Sequence, residues 1–197
     1  MRVIAGEARG RRLSVPRGTA VRPSGARWRE SAFGILEHRM PLGGARVLDL
    51  FAGTGALGIE ALSRGAERVV AVERDPRVAS VLARNAAACG FEERVEVRVE
   101  PVERALDSLA GAGFDLALVD PPYASGALGP TLAALVDRDV IAARGWVLVE
   151  HDRRLPPGIP DRLAVVLERR QGDAALILLR PAAAFERGGE EAPGAVA

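Results

Sequence analysis

Short runs rich in apolar residues alternate with segments of helical periodicity over most of this chain. The apolar runs are six residues long, contain Val or other strand-forming residues and predict buried strands at residues 45–50, 68–73, 94–99, 114–119 and 145–150. Between them, apolar positions recur at helical spacing and predict helices at residues 56–64, 76–89, 102–110 and 128–137. Such alternation is typical of an α/β fold with a mostly parallel sheet and helices on both faces.

The amino end of the chain departs from this alternation. Residues 1–5 and 11–15 predict two short strands of a hairpin around Gly6 and Gly10, and a helix is predicted at residues 26–38. We expect residues 1–40 to form an N-terminal extension of the α/β core.

The carboxyl end departs from it as well. Two further strands are predicted at 162–168 and 174–180, where they would form a closing hairpin. The last residues, 182–197, are mostly Ala, Gly, Glu and Pro and predict disorder. We therefore expect a core at residues 41–181 and a tail at residues 182–197.

A glycine-rich loop follows the first core strand. Residues 45–50 run into Gly53-x-Gly55-x-x-Gly58, and a helix is predicted immediately afterwards. Backbone N–H groups at such a helix start attract a negative group, and the glycines let a ligand approach the backbone. Glu73 closes the next strand, where its carboxylate can accept hydrogen bonds from both hydroxyls of a ribose. By itself this pattern fits a dinucleotide-binding protein and a methyltransferase about equally well.

Asp49, which lies just before the loop, favours the methyltransferase. A carboxylate at this position can hold a positively charged amino group, such as the one at the amino-acid end of S-adenosylmethionine. The same carboxylate would repel a pyrophosphate, which a dinucleotide carries. The alternative interpretation is that Asp49 is only a capping residue at the end of its strand.

The second motif is Asp120-Pro121-Pro122-Tyr123, directly after the fourth predicted core strand. In an open parallel sheet, ligands bind outside the carboxyl ends of the strands. Two consecutive prolines make the turn rigid and leave the Asp120 carboxylate and the Pro121 carbonyl outside the strand ladder. These acceptors can hold the hydrogens of an exocyclic amine such as N2 of guanine, while Tyr123 stacks on the base. The alternative is a stiff turn with an incidental aspartate.

Together the motifs resemble the class I S-adenosylmethionine-dependent methyltransferases. Members of this class carry such a loop and acid, and place Asp, Asn or Ser before Pro-Pro and an aromatic residue when the target is an amine. Over about residues 1–180 the chain further resembles the bacterial 16S ribosomal RNA guanine-N2 methyltransferases, through residues 2–6, 10–13, 22–24, 29–36 and 48–66. Two positions depart from that pattern: Ser24, where Thr is expected, and Glu100, where Asp or Asn is more usual.

The resemblance implies a Rossmann-like fold of seven strands, the last of them antiparallel, with S-adenosylmethionine as cofactor. It implies that the glycine loop holds the amino-acid end of the cofactor, that Glu73 holds the ribose and that Glu100 lies beside the adenine. The expected cofactor-binding residues are Asp49, Phe51, Ala52, Gly53, Thr54, Gly55, Glu73, Arg74, Glu100, Pro101 and Val102. The expected catalytic residues are Asp120, Pro121, Pro122 and Tyr123.

The first 30 residues carry a concentrated positive charge. Eight arginines accompany two glutamates there, a balance of +6, so the rest of the chain carries about −5 of the net charge of +1. Clustered arginine is typical of a surface that binds phosphates. Next to a base-modifying domain it predicts an RNA-docking surface made by Arg9, Arg11, Arg12, Arg22 and Arg27. The alternative is a solvated segment without a partner.

Composition adds few constraints. The chain has 197 residues, 48% of them hydrophobic, which suits one α/β domain. We expect no leader peptide, because no positively charged segment is followed by an apolar core, and no membrane span, because no apolar run approaches the ~18 residues that a span needs. The one cysteine, Cys89, is typical of a cytoplasmic protein, and His38 and His151 lie in no metal-ligand spacing, so we expect no metal.

The predicted function is methyl transfer from S-adenosylmethionine to the N2 amine of a guanine in 16S ribosomal RNA. The RNA could be naked or part of an assembled or assembling small subunit. A DNA adenine-N6 methyltransferase would use the same amine cradle but usually needs a larger target-recognition region. A protein glutamine methyltransferase typically has an Asn-Pro-Pro-Tyr motif and no need of the arginines. A non-catalytic RNA-binding module is the last alternative, which the intact Asp120 and glycine loop disfavour.

Overall fold

The computed structural model describes residues 1–16, 26–122 and 126–186. Within them the chain forms, in order, α1 (Ala26–Glu37), β1 (Arg46–Leu50), α2 (Ala56–Ser63), β2 (Arg68–Val72), α3 (Pro76–Cys89), β3 (Val95–Arg98), α4 (Val102–Ser108), β4 (Phe114–Val119), α5 (Leu128–Asp137), β5 (Ile141–Asp152), β6 (Leu163–Gln171), β7 (Ala174–Pro181) and α6 (Ala183–Glu186). In these residues the seven strands make one sheet, in the order β3-β2-β1-β4-β5-β7-β6. The predicted α/β fold with a mostly parallel sheet is confirmed. The boundaries differ most at β5, which extends further than predicted in both directions.

Two compact units divide the chain, Met1–Val102 and Glu103–Ala197. In the first unit, β1, β2 and β3 are parallel, with Leu50 opposite Val72 and Val72 opposite Arg98. After an exposed first residue, every position of β1 and β2 is buried. Such near-continuous burial is typical of parallel strands covered on both faces. The register brings the carboxyl ends of the three strands to one edge of this unit.

Helix α3 illustrates how local sequence signals define an element of the first unit. Asp75 is its N-cap and accepts a hydrogen bond from Arg77 N at 2.8 Å, and Pro76 occupies the first helical position. Gly90 ends the helix in the left-handed conformation, with φ of 80°. Capping side chains at the start and glycine at the end are the arrangement that satisfies the unpaired backbone groups of a helix.

In the second unit, β4 and β5 are parallel, and β7 runs antiparallel to both β5 and β6. The closing hairpin and the antiparallel last strand are therefore confirmed. The predicted disorder of residues 182–197 is wrong for α6, and residues 187–197 lie outside the described part of the chain. Helix α6 contacts the strands through Phe185, since the Arg180 guanidinium lies over the rings of Trp146, 4.6 Å from its centroid, and of Phe185, 5.5 Å from its centroid.

The predicted N-terminal strands do not form in the described residues 1–16. One antiparallel bridge joins Arg2 and Arg12, and Val3 N donates to Arg11 O at 3.0 Å, so the segment is a hairpin without full strands. The reason is that other partners occupy its backbone. Ile4 N and Ala5 N donate to the two carboxylate oxygens of a helix residue rather than to the opposite arm of the hairpin.

That helix residue is Glu60 of α2, whose side chain is 1% exposed. Its oxygens accept from Ile4 N at 2.8 Å and from Ala5 N at 3.0 Å. Ser63, on the next turn, accepts from Ala8 N through Oγ at 3.0 Å. Between these contacts Gly6 has φ of 80°, and a Cβ there would lie 1.6 Å from Ser63 O, so only glycine fits. The N-terminal hairpin is thus packed onto α2 and is not a loose arm.

Candidate active site

The glycine loop leaves β1 in a conformation that most residues avoid. Phe51, Gly53 and Gly55 have φ values of 59°, 56° and 83°. For Phe51, which is not a glycine, this left-handed backbone conformation is strained, and such conformations are common at ligand-binding sites. Ala52 and Thr54 between them are buried, and Gly55 N donates to Ala52 O at 2.8 Å. Because Gly53 and Gly55 have no side chain and Ala52 and Thr54 are buried, this part of the loop offers mainly its backbone to a ligand.

Asp49 is held against the first turn of α2. Its side chain is 1% exposed, and its Oδ2 accepts from Gly58 N at 2.9 Å. A side chain at position 58 is excluded, because its Cβ would lie 2.9 Å from both Asp49 Oδ2 and Val69 Cγ1. Asp49 therefore satisfies a backbone N–H in the first turn of α2, a structural role different from the strand-end cap of the alternative interpretation. A carboxylate has about four acceptor positions, so binding of an ammonium group is compatible with this bond and stays a prediction.

Glu73 fastens the glycine loop to the end of β2. Its Oε2 accepts from Gly53 N and its Oε1 accepts from Asp75 N, both at 2.9 Å. The side chain is half-buried. Two backbone donors fix the orientation of the carboxylate, and its remaining acceptor positions suit the hydroxyls of a ribose. The sequence suggested the ligand contact but not this structural role.

The remaining cofactor-binding predictions lie around the end of β3. Glu100 is half-buried, with Oε1 3.9 Å from Nη1 of Arg98, whose Nε lies 2.7 Å from Glu96. Val102 is buried at the start of α4, and two of the predicted residues are exposed, Arg74 and Pro101.

Three carboxylates thus lie at one edge of the first unit. Asp49, Glu73 and Glu100 are at or just beyond the carboxyl ends of β1, β2 and β3, which the parallel register aligns. Carboxylates suit a ligand with hydroxyls and a cationic amine, and they disfavour a pyrophosphate. This charge pattern favours S-adenosylmethionine over a dinucleotide as the ligand that fits the loop.

The Asp-Pro-Pro turn follows β4 in the second unit. Asp120 is half-buried, Pro121 is buried and Pro122 is exposed, whereas Tyr123 lies outside the described residues. A cavity of about 430 Å³ adjoins the turn. It is lined by the two prolines, the first turn of α5, His151 and Asp152 at the end of β5, and the segment 155–158. Its size falls in the range of small-molecule sites, so an aromatic base can be accommodated beside the turn.

The arginines of the predicted RNA-docking surface are exposed where the structure describes them. Arg9, Arg11 and Arg12 lie on the N-terminal hairpin and Arg27 begins α1, while Arg22 lies outside the described residues. The hairpin that carries Arg9, Arg11 and Arg12 is packed onto α2, so these three guanidinium groups extend from one short segment with a fixed backbone.

Arg29 differs from its neighbours in the basic segment. It is 1% exposed, its Nη2 donates to Arg2 O at 3.0 Å, and its Nη1 contacts Met1 Sδ. Burial lowers the pKa of the Arg29 guanidinium, and the charge of Glu60 opposes that effect. Arg29 therefore joins α1 to the N-terminal hairpin and is not part of a phosphate-binding surface. Counting charges along the sequence could not separate it from the exposed arginines.

Two further polar residues were missed by the sequence analysis. Asn85, buried on α3, accepts from Ser14 N at 2.8 Å and donates to Thr54 O at 2.9 Å, so it links the hairpin to the glycine loop. Its signal was a polar residue on the apolar face of a helix. His151 had no signal beyond its place near the end of a core strand.

Neither a metal centre nor a membrane span is found in the part of the chain that the structure describes. No three His, Cys, Asp or Glu residues cluster there in a way that could hold a metal ion. None of the described helices is both long and apolar enough to cross a membrane.

The sheet order, with β7 antiparallel between β5 and β6, and the glycine loop after β1 define a Rossmann-like fold of the class I methyltransferase type. A solved structure of an RNA methyltransferase from Salinibacter ruber in complex with S-adenosyl-L-homocysteine has a TM-score of 0.62. The match covers 89% of this chain and 99% of that one. At 15% identity this likeness concerns the fold alone.

The chain belongs to the family described as Conserved hypothetical protein 95, whose pattern matches residues 1–180. It is 34% identical over 178 residues to Ribosomal RNA small subunit methyltransferase D of Escherichia coli K12, covering 89% of this chain and 87% of the relative. A solved structure of a hypothetical protein from Thermus thermophilus is 34% identical with a TM-score of 0.78, covering 91% of this chain and 99% of that one. The resemblance to the bacterial 16S ribosomal RNA methyltransferases, inferred from the sequence, is confirmed.

Proposed function

We propose that this protein transfers a methyl group from S-adenosylmethionine to the N2 amine of a guanine in small-subunit ribosomal RNA. The observation that carries the proposal is the rigid Asp120-Pro121-Pro122 turn at the carboxyl end of β4, beside a cavity large enough for a base. The relatives named for methylation of small-subunit ribosomal RNA support the RNA class. The turn supports an exocyclic amine as the acceptor, and the choice of guanine N2 rests on the resemblance to the guanine-N2 methyltransferases.

The first unit supplies the residues that would hold the cofactor. The backbone of the glycine loop and Asp49 suit its amino-acid end, and the fixed Glu73 carboxylate suits its ribose hydroxyls. The family resemblance assigns Glu100 to the adenine. When bound, S-adenosylmethionine carries an electrophilic methyl group on a sulfonium. The protein therefore has to orient the acceptor and exclude water more than it has to activate the methyl donor.

Asp120 and Pro121 act on the acceptor. The lone pair of a guanine N2 amine is delocalised into the ring, which makes the amine a poor nucleophile. Two oxygen acceptors that hold its hydrogens favour the pyramidal form and stabilise the positive charge that develops on nitrogen. The nitrogen that gains the methyl group has one proton in excess, which passes to Asp120 or to water. Reaching this turn requires the base to leave its stack.

The N-terminal hairpin would dock the RNA. Arg9, Arg11 and Arg12 are exposed on a segment that Glu60 and Ser63 hold in place, so their charges are presented from a fixed support. Guanidinium groups bind phosphate oxygens through parallel hydrogen bonds and release counterions from the RNA. We place this activity in the cytoplasm, where the small subunit is assembled.

Methyl transfer from S-adenosylmethionine with a labelled methyl group tests the substrate class. The protein is incubated in parallel with unmethylated small-subunit RNA, small-subunit particles, duplex DNA and ribosomal proteins. We expect label in RNA, either naked or in particles, and its loss with Asp120→Ala. Label that enters only DNA or only protein would refute the proposal.

A further inference from the structure

The exposed face of α3 carries positive charge and no acidic residue. Arg77 and Arg84 are the only charged residues in the sequence of this helix, and both are exposed. They are seven positions apart, close to two helical turns, so their side chains leave the same face of the helix about 10 Å apart along its axis. Neither arginine forms an ion pair with any residue that the structure describes.

Two exposed arginines of the second unit show the contrast. Arg138 lies 2.7 Å from Asp107, and Arg154 lies 2.9 Å from Asp173. In each pair a neighbouring carboxylate compensates the charge of the guanidinium. The two arginines of α3 lack this compensation within the described part of the chain, so their charge is available to an anionic partner.

The N-terminal hairpin lies against α3 and adds to this charge. Ser14 N donates to Asn85 Oδ1 at 2.8 Å, and Asn85 Nδ2 donates to Ser14 O at 3.0 Å. Exposed Arg11, three residues earlier, lies near the last turn of α3: burial raises the pKa of the Cys89 thiol, and the charge of Arg11 opposes that effect. This arm of the hairpin therefore runs beside α3 from its last turn toward its start.

The start of α3 lies at the edge of the unit that would bind the cofactor. Asp75, the N-cap, donates through its backbone N–H to Glu73 Oε1, and Glu73 Oε2 accepts from Gly53 N of the glycine loop. Arg74, between the two acids, is exposed. Positive charge thus extends from the hairpin, along the outer face of α3, to the carboxyl end of β2.

We propose that Arg77 and Arg84 bind the phosphate backbone of the RNA substrate, so that the outer face of α3 continues the docking surface of the hairpin toward the cofactor. The inference rests on the proposed function, which supplies RNA as the polyanion. Guanidinium groups suit phosphate oxygens, and such contacts position a nucleic acid without reading its bases. Apart from the arginines and Pro76, the exposed residues of this helix are short and leave room for an RNA backbone: Ser80, Ala83, Ala87 and Ala88.

Two double variants and a matched control test the α3 arginines. Arg77→Gln combined with Arg84→Gln removes both charges and keeps residues that favour a helix. Arg77→Lys combined with Arg84→Lys keeps the charges. The control is Arg144→Gln combined with Arg153→Gln, which removes two exposed arginines of the second unit and changes the net charge equally.

The affinity of the full chain for unmethylated small-subunit RNA is measured over a series of salt concentrations. Each phosphate contact contributes about 0.7–0.9 to the slope of log affinity against log salt. We therefore expect the Gln double variant to reduce that slope by about 1.5 and to bind at least about twentyfold more weakly at ~0.1 M salt. The Lys double variant should keep the parent's slope, and the control should match the parent. S-adenosylmethionine affinity and the methylation rate at saturating RNA should not change.

Parental affinity and slope in the Gln double variant would overturn the inference. So would an equal loss in the control, which would show that only net charge matters, or a reduced slope in the Lys double variant. Thermal unfolding shows that each variant is folded. The methylated nucleoside is identified separately. If α3 proves dispensable while the parent forms N2-methylguanosine, the proposed function survives. If the Gln double variant loses RNA affinity but the parent forms no N2-methylguanosine, the RNA contact stands and the proposed acceptor is refuted.

Discussion

Replacing Glu73 with Gln perturbs the cofactor loop at one point. In the parent, the two carboxylate oxygens accept from Gly53 N and Asp75 N, both at 2.9 Å. The amide of Gln offers one oxygen, so its NH2 group must face the other backbone N–H. The change therefore removes the negative charge, leaves one of the two backbone donors without its partner, and weakens the acceptor available to a ribose.

The magnitude follows from these bonds. A hydrogen bond to a charged group contributes about 1.5–3 kcal/mol, and the half-buried position of Glu73 favours the lower value. We therefore expect the free energy of unfolding without ligand to fall by about 1.5 kcal/mol. Weakening the pair of bonds to the ribose should cost S-adenosylmethionine at least as much, which corresponds to more than about tenfold in affinity. Glu73→Ala, which removes both protein contacts, should lower both quantities further.

Calorimetric titration with S-adenosylmethionine and urea unfolding measure the two effects separately. Glu92→Gln is the control, because Glu92 is exposed in the turn before β3, away from the carboxyl ends of the strands. Parent-like cofactor affinity in the Glu73→Gln protein would refute the ribose assignment. Tight binding of NAD by the parent would refute the choice of cofactor.

Three further predictions concern chemistry, RNA and stability. Asp120→Ala should lower the single-turnover rate by about two orders of magnitude or more, by analogy with loss of an oxyanion-hole donor, and should change RNA affinity much less. Glu60→Ala should lower the free energy of unfolding by about 3 kcal/mol in urea, because it removes the acceptor of two backbone donors from a buried site. RNA affinity and its dependence on salt concentration should both fall in a triple alanine variant of Arg9, Arg11 and Arg12.

Each of these predictions has a control and a contradicting outcome. The control for Asp120→Ala is the same substitution at exposed Asp161, and the control for Glu60→Ala is the same substitution at exposed Glu67. A near-parental rate in Asp120→Ala, or a near-parental free energy of unfolding in Glu60→Ala, would contradict the corresponding prediction. For the triple variant, the control replaces three exposed arginines elsewhere, Arg144, Arg153 and Arg169. If a folded triple variant retains the parental affinity and salt dependence, the hairpin arginines are merely solvated.

The core was predictable because its signals are local. Apolar runs separated by capped helices, such as α3 between Asp75 and Gly90, specify their own boundaries. The glycine loop and the Asp-Pro-Pro turn follow predicted strands, so parallel topology was enough to place them at carboxyl ends. The antiparallel entry of the last strand came only through resemblance, since no local signal shows on which side a strand joins a sheet.

What the sequence did not predict depends on long-range packing. The N-terminal hairpin lacks strands because Glu60, more than fifty residues away, takes its backbone donors. Arg29 belongs to a basic stretch but is buried by the same packing. His151 lines the same cavity as Pro121 only because β4 pairs with β5. In each case one residue carries a signal that is incomplete until its partner in the fold is known.

Mass spectrometry of nucleosides tests the central claim most directly. Unmethylated small-subunit RNA and particles are incubated with S-adenosylmethionine that carries a deuterated methyl group, and the digested nucleosides are separated against standards. We predict deuterated N2-methylguanosine with the parent protein and its near absence with Asp120→Ala. Deuterated N6-methyladenosine, or a guanosine methylated at N1 or N7 instead of N2, would contradict the account.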